Sequence, residues 1–145
     1  MPLLTYLVDT NVISDWLAGA QPVEQWLEEH RDQVAISTLT FAEMRQGIET
    51  KPQGKPRRQL ERDFRFIIQD FAGAVWAFDE AAAFEWGRLM GESQAHNHPL
   101  PFADSLISAI ARSMEAKVVS RDSHGFAGCV RIDPWTDLEY PAWES

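Results

Sequence analysis

The feature that most constrains the fold is a regular alternation of short apolar runs with longer amphipathic segments. Five runs have the length and the side chains of buried strands, at residues 4–8, 34–37, 74–78, 117–120 and 129–132. Six segments with helical periodicity lie between them, at residues 12–17, 23–30, 41–49, 56–71, 80–94 and 102–115. Strands that alternate with helices predict an α/β fold, with a parallel five-stranded sheet flanked by helices.

The whole chain, residues 1–145, is predicted to form one domain, because it is long enough for one core and contains no repeat or long linker. No apolar run is long enough to span a membrane, so we expect no membrane partner. The first residues lack the basic region and apolar core of a signal peptide, and we expect none. Cys129 is the single cysteine, which fits a reducing, cytoplasmic location.

The charge of the chain is unevenly distributed. The formal net charge is −9, and this disfavours a generic duplex-binding protein, because such proteins are usually basic. Residues 51–65, the basic segment, nevertheless carry six basic side chains against Glu61 and Asp63: Lys51, Lys55, Arg57, Arg58, Arg62 and Arg65. Two interpretations of the basic segment stay open, a solvated loop and helix face or a phosphate-facing surface.

Acidic side chains follow several of the predicted strands, and Asp9 is the clearest case. It ends the first strand, and parallel sheets bind their ligands beyond the carboxyl ends of the strands, near a switch in strand order. The competing interpretation is a cap for the next helix, but Thr10 or Asn11 could fill that role. The position of Asp9 therefore favours a functional carboxylate.

Glu43 follows the second predicted strand by about one helical turn. The pattern Thr40-x-x-Glu43 also matches a capping box, in which Glu43 would bond back to the Thr40 amide. Both interpretations stay open from this segment alone. Gly47 lies on the same side of the helix as Glu43, where a missing side chain would let a substrate backbone approach.

Asp104 begins the last predicted helix, at the edge of an apolar stripe. The stripe is predicted to be buried and contains Ala103, Leu106, Ile107, Ile110 and Met114. The competing interpretation is an acid that stabilises the helix dipole, which is worth only about 0.3–1 kcal/mol. An acid beside such a stripe suggests a functional role.

Asp122 follows the fourth predicted strand, in the segment Ser120-Arg121-Asp122-Ser123-His124-Gly125. Asp and Ser before Gly are normal turn residues, and for this segment alone the turn interpretation is slightly favoured over a functional one.

Four acids at one edge of a sheet suggest a divalent metal site. Mg²⁺ and Mn²⁺ prefer carboxylate and water oxygens, and clustered acids stay ionised only with a cation beside them. Such a cation can activate water and stabilise the charge that develops on a phosphodiester. These residues therefore suggest metal-dependent hydrolysis of a phosphodiester.

Together these segments resemble the PIN-domain nucleases, especially the VapC and FitB-like toxins of bacterial type II toxin–antitoxin systems. The matching segments, in chain order, are residues 7–14, 36–47, 103–109, 120–122 and the closing Ile132-Asp133-Pro134-Trp135. The resemblance covers almost the whole chain. It implies a cytoplasmic endoribonuclease that cleaves single-stranded RNA with Mg²⁺, or Mn²⁺, as its cofactor.

The resemblance also implies roles for particular residues. Four acids match the catalytic and metal-binding positions of the family: Asp9, Glu43, Asp104 and Asp122. Asp122 matches the most variable of these positions, and it binds the metal either directly or through water. Polar neighbours that orient the acids or the water match Thr10, Asn11 and Ser37.

The partners implied by the resemblance are RNA as the substrate and a cognate antitoxin, a small DNA-binding protein. Operator DNA would be reached only through that antitoxin, and the chain would form a homodimer. The basic segment falls where such toxins carry helices that contact antitoxin or substrate.

Two other functions compete with the nuclease interpretation. A phosphoacceptor receiver domain also gathers acids around Mg²⁺, but it needs an acceptor Asp at the third strand and a Lys near the fifth, where this chain has Asp79 and no later lysine than Lys117. A non-catalytic interaction domain would use the acids only as helix caps.

Several other polar residues are expected to have structural roles. Three histidines, His96, His98 and His124, have no cysteine partners with zinc-site spacing, so solvent or structural roles are favoured. Asp79 is expected to cap the fifth predicted helix, and Asp15 is expected on the exposed face of the first.

Overall fold

The computed structural model describes residues 4–143, in which a six-stranded sheet is flanked by helices. The strands are β1 (Tyr6–Val8), β2 (Val34–Ser37), β3 (Val75–Trp76), β4 (Lys117–Val119), β5 (Arg131–Asp133) and β6 (Leu138–Tyr140). Their order across the sheet is β3-β2-β1-β4-β5-β6. Residues 1–3 and 144–145, which the predictions of a single domain and of no signal peptide include, lie outside the described residues.

The predicted α/β fold is confirmed, with one strand more than expected. The first five strands pair in parallel, and β6 pairs antiparallel with β5, so that Arg131 lies opposite Tyr140. β6 has only three residues, which is too short for its alternation to be recognised in the sequence.

Six α-helices lie close to their predicted positions: α1 (Thr10–Leu17), α2 (Gln21–Glu29), α3 (Thr38–Glu49), α4 (Lys55–Asp70), α5 (Glu80–Ala95) and α6 (Phe102–Ser113). A short 3-10 turn, Arg31–Gln33, precedes β2. The side chains of Ser37 and Asp79 accept backbone hydrogen bonds at the starts of α3 and α5, and this confirms the cap expected of Asp79. Pro56 lies in the first turn of α4, where its missing N–H has no helical partner to lose.

Two apolar clusters cover the two faces of the sheet. Successive side chains point to opposite faces of a strand, so Leu7 enters one cluster and Val8 the other. The cluster around Val8 includes residues of α1, α2 and α4, and the cluster around Leu7 includes residues of α5 and α6. The sheet is therefore a buried central layer, and packing on both faces fixes the positions of its strand ends.

Two structural expectations need correction. The predicted stripe on α6 is buried at Ile107 and Ile110, but Met114 is 47% exposed, because the helix ends one residue before it. Asp15 was expected on an exposed helix face. It is instead partly buried, and its carboxylate accepts hydrogen bonds from the Arg121 and Trp135 side chains at 2.9 and 3.0 Å.

No helix in the described part of the chain is long and apolar enough to cross a membrane.

Candidate active site

Asp9 lies at the carboxyl end of β1, where the strand order reverses between β1 and β4, the usual place for a ligand crevice. It is only 6% exposed, and its carboxylate accepts hydrogen bonds from the Thr10 N–H (2.7 Å) and the Ser120 hydroxyl (3.0 Å). Burial raises the pKa of Asp9 to about 7 although these hydrogen bonds lower it, and the charges of Asp104 and Glu43 add to the rise. Asp9 is also the N-cap residue of α1. The same side chain therefore caps the helix and lies at the strand end, as its two interpretations required.

Glu43 lies inside α3, and its Oε1 accepts a hydrogen bond from the Thr10 hydroxyl at 2.8 Å. The capping-box interpretation is wrong, because α3 begins earlier than predicted. Ser37 is its N-cap and accepts the N–H of Thr40 at 3.3 Å, which leaves Thr40 within the helix. The Thr40 and Thr10 hydroxyls are themselves hydrogen-bonded at 3.0 Å. Thr10 therefore fixes the Glu43 carboxylate, and Ser37 fixes the start of its helix.

Asp104 lies in the first turn of α6 and is half-buried. Burial, followed by the charges of Asp122 and Glu43, raises the pKa of Asp104 to about 6, while His124 acts in the opposite direction. Within residues 4–143 neither oxygen of Asp104 accepts a hydrogen bond from the protein. This carboxylate therefore faces the other acids with its oxygens available.

Asp122 uses its two oxygens differently. Oδ1 accepts the N–H groups of His124 (3.0 Å) and Gly125 (3.1 Å), which confirms the turn interpretation. A Cβ added to Gly125 would lie 2.8 Å from Oδ2 of Asp122 and would also clash with the Asp104 carboxylate. Oδ2 therefore lies on the side of Asp122 that faces Asp104. Gly125 therefore gives the two carboxylates room to approach each other, a function that its place in a turn sequence did not reveal.

Ser120 connects three of these residues, and the sequence identified it only as a neighbour of Asp122. Its hydroxyl donates to Asp9 and accepts hydrogen bonds from the Asn11 side-chain amide (3.2 Å) and the Asp122 N–H (3.0 Å). Asn11 Oδ1 is buried and has no hydrogen-bond partner among the described residues. The signal available in the sequence was a polar residue at the end of a buried strand.

The donor set suits a hard divalent cation. All four acids offer oxygen donors, and a cation would offset the repulsion that contributes to the raised pKa values of Asp9 and Asp104. No three His, Cys, Asp or Glu side chains within residues 4–143 converge closely enough to enclose an ion by themselves. Mg²⁺ commonly keeps several waters and takes one or two carboxylates. The residues present therefore fit a hydrated Mg²⁺.

The residues expected to have structural roles contact neighbouring rings or cap a helix. The His96 ring stacks on Trp143, with ring centroids 4.5 Å apart, and the His98 and His124 rings are 4.6 Å apart. Asp79 is exposed and caps α5 with a hydrogen bond to the Ala82 N–H (2.9 Å). That position does not suit the acceptor of a receiver domain.

The basic segment forms the loop before α4 and most of that helix. Arg57 is paired with Glu49 and Glu61. The other basic side chains of the segment are exposed: Lys51, Lys55, Arg58, Arg62 and Arg65.

Comparisons with known proteins agree with this architecture. The family model of the PIN domain matches residues 6–128. The chain therefore belongs to the PIN-domain family.

Individual relatives place it among the VapC/FitB-type toxins, as its motifs predicted. Toxin FitB of Neisseria gonorrhoeae is 34% identical over 138 residues, which cover 90% of this chain and 99% of that protein. VapC ribonuclease Y4jK of Sinorhizobium fredii is 32% identical over 139 residues, 89% of this chain and 96% of that protein. The structure of FitAB bound to an IR36 DNA fragment matches 90% of this chain and 95% of its own, with a TM-score of 0.81 and 33% identity.

Proposed function

We propose that this VapC/FitB-type toxin is a Mg²⁺- or Mn²⁺-dependent endoribonuclease that cleaves single-stranded RNA. Its catalytic and metal-binding residues are Asp9, Glu43, Asp104 and Asp122. The observation that carries the proposal is the gathering of acids from β1, α3 and α6 at the reversal of strand order, where burial and the charges of the neighbouring acids raise the pKa of Asp9 and Asp104. The ribonuclease name of the Sinorhizobium relative supports the same class of reaction.

Glu43, Asp104 and Asp122 are held so that each keeps an oxygen available to a ligand, whereas both oxygens of Asp9 accept hydrogen bonds from the protein. Thr10 holds one oxygen of Glu43, and the turn N–H groups hold one oxygen of Asp122. Ser120 fixes Asp9 from inside the sheet. A bound Mg²⁺ would supply water activation and charge stabilisation at the phosphodiester. The polar neighbours Thr10 and Asn11 and the helix cap Ser37 then serve as positioning residues.

The proposed partners follow the relatives. A cognate antitoxin, itself a small DNA-binding protein, would inhibit the nuclease, and a homodimer of this chain would reach operator DNA only through it. FitAB bound to DNA supports this arrangement, because FitB is the related toxin. The proposed location is the cytoplasm, and residues 1–145 act as one domain.

Cleavage of RNA by the antitoxin-free protein tests the proposed activity. A labelled single-stranded RNA should be cut with Mg²⁺, should survive with a chelator, and should be cut again when Mg²⁺ is restored. Asp9→Asn should abolish cleavage while the protein stays folded.

Asp79→Asn is the matched control, because asparagine also caps helices well and Asp79 lies outside the site. Its cleavage rate should equal that of the wild type. Full activity of a folded Asp9→Asn variant would contradict the assignment of this site.

A further inference from the structure

A pocket with a volume of about 500 Å³ is lined in part by Ser123 and His124, which directly follow Asp122 in the chain. Its walls include two histidines, an arginine, a serine and a tyrosine: His98, His124, Arg131, Ser123 and Tyr140. None of the described residues that line it carries a carboxylate, although the chain has a net charge of −9. Its electrostatic character is therefore opposite to that of the neighbouring site.

Arg131 gives this pocket its permanent charge. It is only 7% exposed, and its Nη1 donates to the Ser120 carbonyl at 2.9 Å. Its guanidinium carbon lies 4.4 Å from the centroid of the Tyr140 ring. Within residues 4–143 no carboxylate lies within 4.0 Å of its nitrogens, since the ion pairs found there involve other residues.

The remaining N–H groups of Arg131 are open to a ligand. A guanidinium has five N–H donors, and one nitrogen is engaged by the Ser120 carbonyl. Among the side-chain nitrogen and oxygen atoms of the described residues, only Asn11 Oδ1 and Ser108 Oγ are shielded from solvent and lack a hydrogen-bond partner. The unbonded nitrogens of Arg131 are therefore reached by solvent, and the pocket is the space that Arg131 lines. A buried charge without a counterion is costly, so this position favours a bound anion.

The residues of the pocket are linked to the acidic site at two points. Ser123 and His124 directly follow Asp122, and the charge of His124 acts on Asp104. On the other side, Ser120 joins Arg131 through its carbonyl to Asp9 through its hydroxyl. A strand with one phosphodiester at the acids would therefore bring an adjacent nucleotide to Arg131.

We propose that this pocket binds the phosphate of the RNA nucleotide next to the cleavage site, with Arg131 as its charged donor. The inference rests on the proposed ribonuclease function. The planar guanidinium matches two phosphate oxygens at once. Tyr140 and His98 line the same pocket, where aromatic rings could contact the attached nucleoside.

Steady-state cleavage by Arg131→Met tests the proposal, with Arg88→Met as the matched control on an exposed face of α5. Loss of a charge-assisted hydrogen bond should raise KM by about tenfold or more, with kcat changed by less than about threefold. The slope of log KM against log salt concentration should fall by about 0.7 for the lost phosphate contact. Arg131→Lys should restore the salt slope but only part of the affinity, because lysine keeps the charge but cannot donate to two phosphate oxygens at once as the planar guanidinium does.

A titration of the metal-free wild type with uridine 5′-monophosphate tests the pocket without a substitution. Binding should shift the NMR signals of the Arg131 Nε–H and of the Tyr140 ring. No shift at these groups at millimolar nucleotide would overturn the proposal, even if the Arg131 variants fail to fold.

The outcomes separate the pocket from the proposed nuclease activity. Absence of cleavage by the wild type would count against the activity, and the nucleotide titration would still decide whether the pocket binds phosphate. Normal wild-type cleavage with an unchanged KM and salt slope in Arg131→Met would overturn the pocket alone. Unchanged kinetics with loss of antitoxin binding would assign the pocket to the protein partner instead, and would also overturn the proposal.

Discussion

At the scale of single residues, Asp9 stands out because the fold buries a carboxylate beside other carboxylates. Its pKa of about 7 compares with an ordinary value of 3.8. Between these values the unfolded chain releases the proton while the folded protein still holds it. Ionisation therefore destabilises the metal-free fold, and this cost is complete above about pH 7.

The first prediction is that the metal-free protein loses stability as the pH rises from about 4 to 7. Asp9→Asn should remove most of that loss, because the amide has no charge, and should make the protein about 2–4 kcal/mol more stable than the wild type at pH 8. Urea unfolding of both proteins at pH 5 and pH 8 measures the difference. Equal pH dependence in the two proteins would show that Asp9 is not the group responsible.

Gly125 has a specific steric role in the site. A Cβ there would clash with the Asp104 carboxylate, and it would also approach Asp122. Gly125→Ala should displace these flexible carboxylates more than it unfolds the protein. We expect Mn²⁺ affinity to fall by about tenfold or more, as when groups that orient metal ligands are changed.

Gly87→Ala is the matched control for Gly125→Ala, because open space surrounds Gly87 within α5. It should stabilise the protein by about 0.5–1 kcal/mol, the usual gain of alanine over glycine in a helix. Its Mn²⁺ affinity should be unchanged. Calorimetry measures both affinities, and an equal loss in the two variants would contradict the role given to Gly125.

At the scale of the elements, helix starts position the acids. Asp9 precedes α1, Glu43 lies in α3 behind the Ser37 cap, and Asp104 lies in the first turn of α6. The helix N-termini at this edge also favour negative charge. The strand and helix ends therefore determine where the carboxylates meet.

The third prediction concerns the cap of α3. Ser37→Ala should lower the free energy of unfolding by about 1 kcal/mol, since the Thr40 N–H loses its partner. It should also slow RNA cleavage, because Glu43 moves with the start of its helix. Asp79→Ala removes the comparable cap of α5 and should cost similar stability at an unchanged cleavage rate. Equal cleavage rates for the two variants would argue against this coupling.

Most elements could be predicted because their periodicity is local. The four residues of β2 are all buried, and the prediction matched its bounds. The start of α3 was misplaced, because Thr40-x-x-Glu43 has the pattern of a capping box, whereas the residue that caps the helix is Ser37, three positions before Thr40. Met114 was misassigned because an apolar stripe does not reveal where a helix ends.

At the scale of the whole molecule, the site depends on contacts between residues far apart in the chain. Thr10 reaches Glu43, and Ser120 reaches Asp9, only because β1 lies between β2 and β4. The sequence indicated Asp9, Glu43 and Asp122 by their positions after predicted strands. It indicated Asp104 by its position beside an apolar stripe. It could not predict these hydrogen bonds, the clearance at Gly125 or the burial of Arg131, because each depends on the order of the strands and on the packing around them.

The distribution of charge follows the same pattern. The acids converge at one edge of the sheet, while Arg131 lies in the adjacent pocket and the basic segment lies largely on α4. A net charge of −9 disfavours an RNA-binding site without cations. The proposed divalent ion and the local positive charge would reconcile this composition with the proposed RNA substrate.

The most direct test of the central claim, that these carboxylates form a metal site, is a calorimetric titration of the antitoxin-free protein with Mn²⁺. We predict saturable binding to the wild type and to Asp79→Asn, with marked weakening in Asp104→Asn, because Asp104 has both oxygens available in the site. No binding to the wild type at millimolar Mn²⁺, or equal binding to Asp104→Asn, would contradict the account.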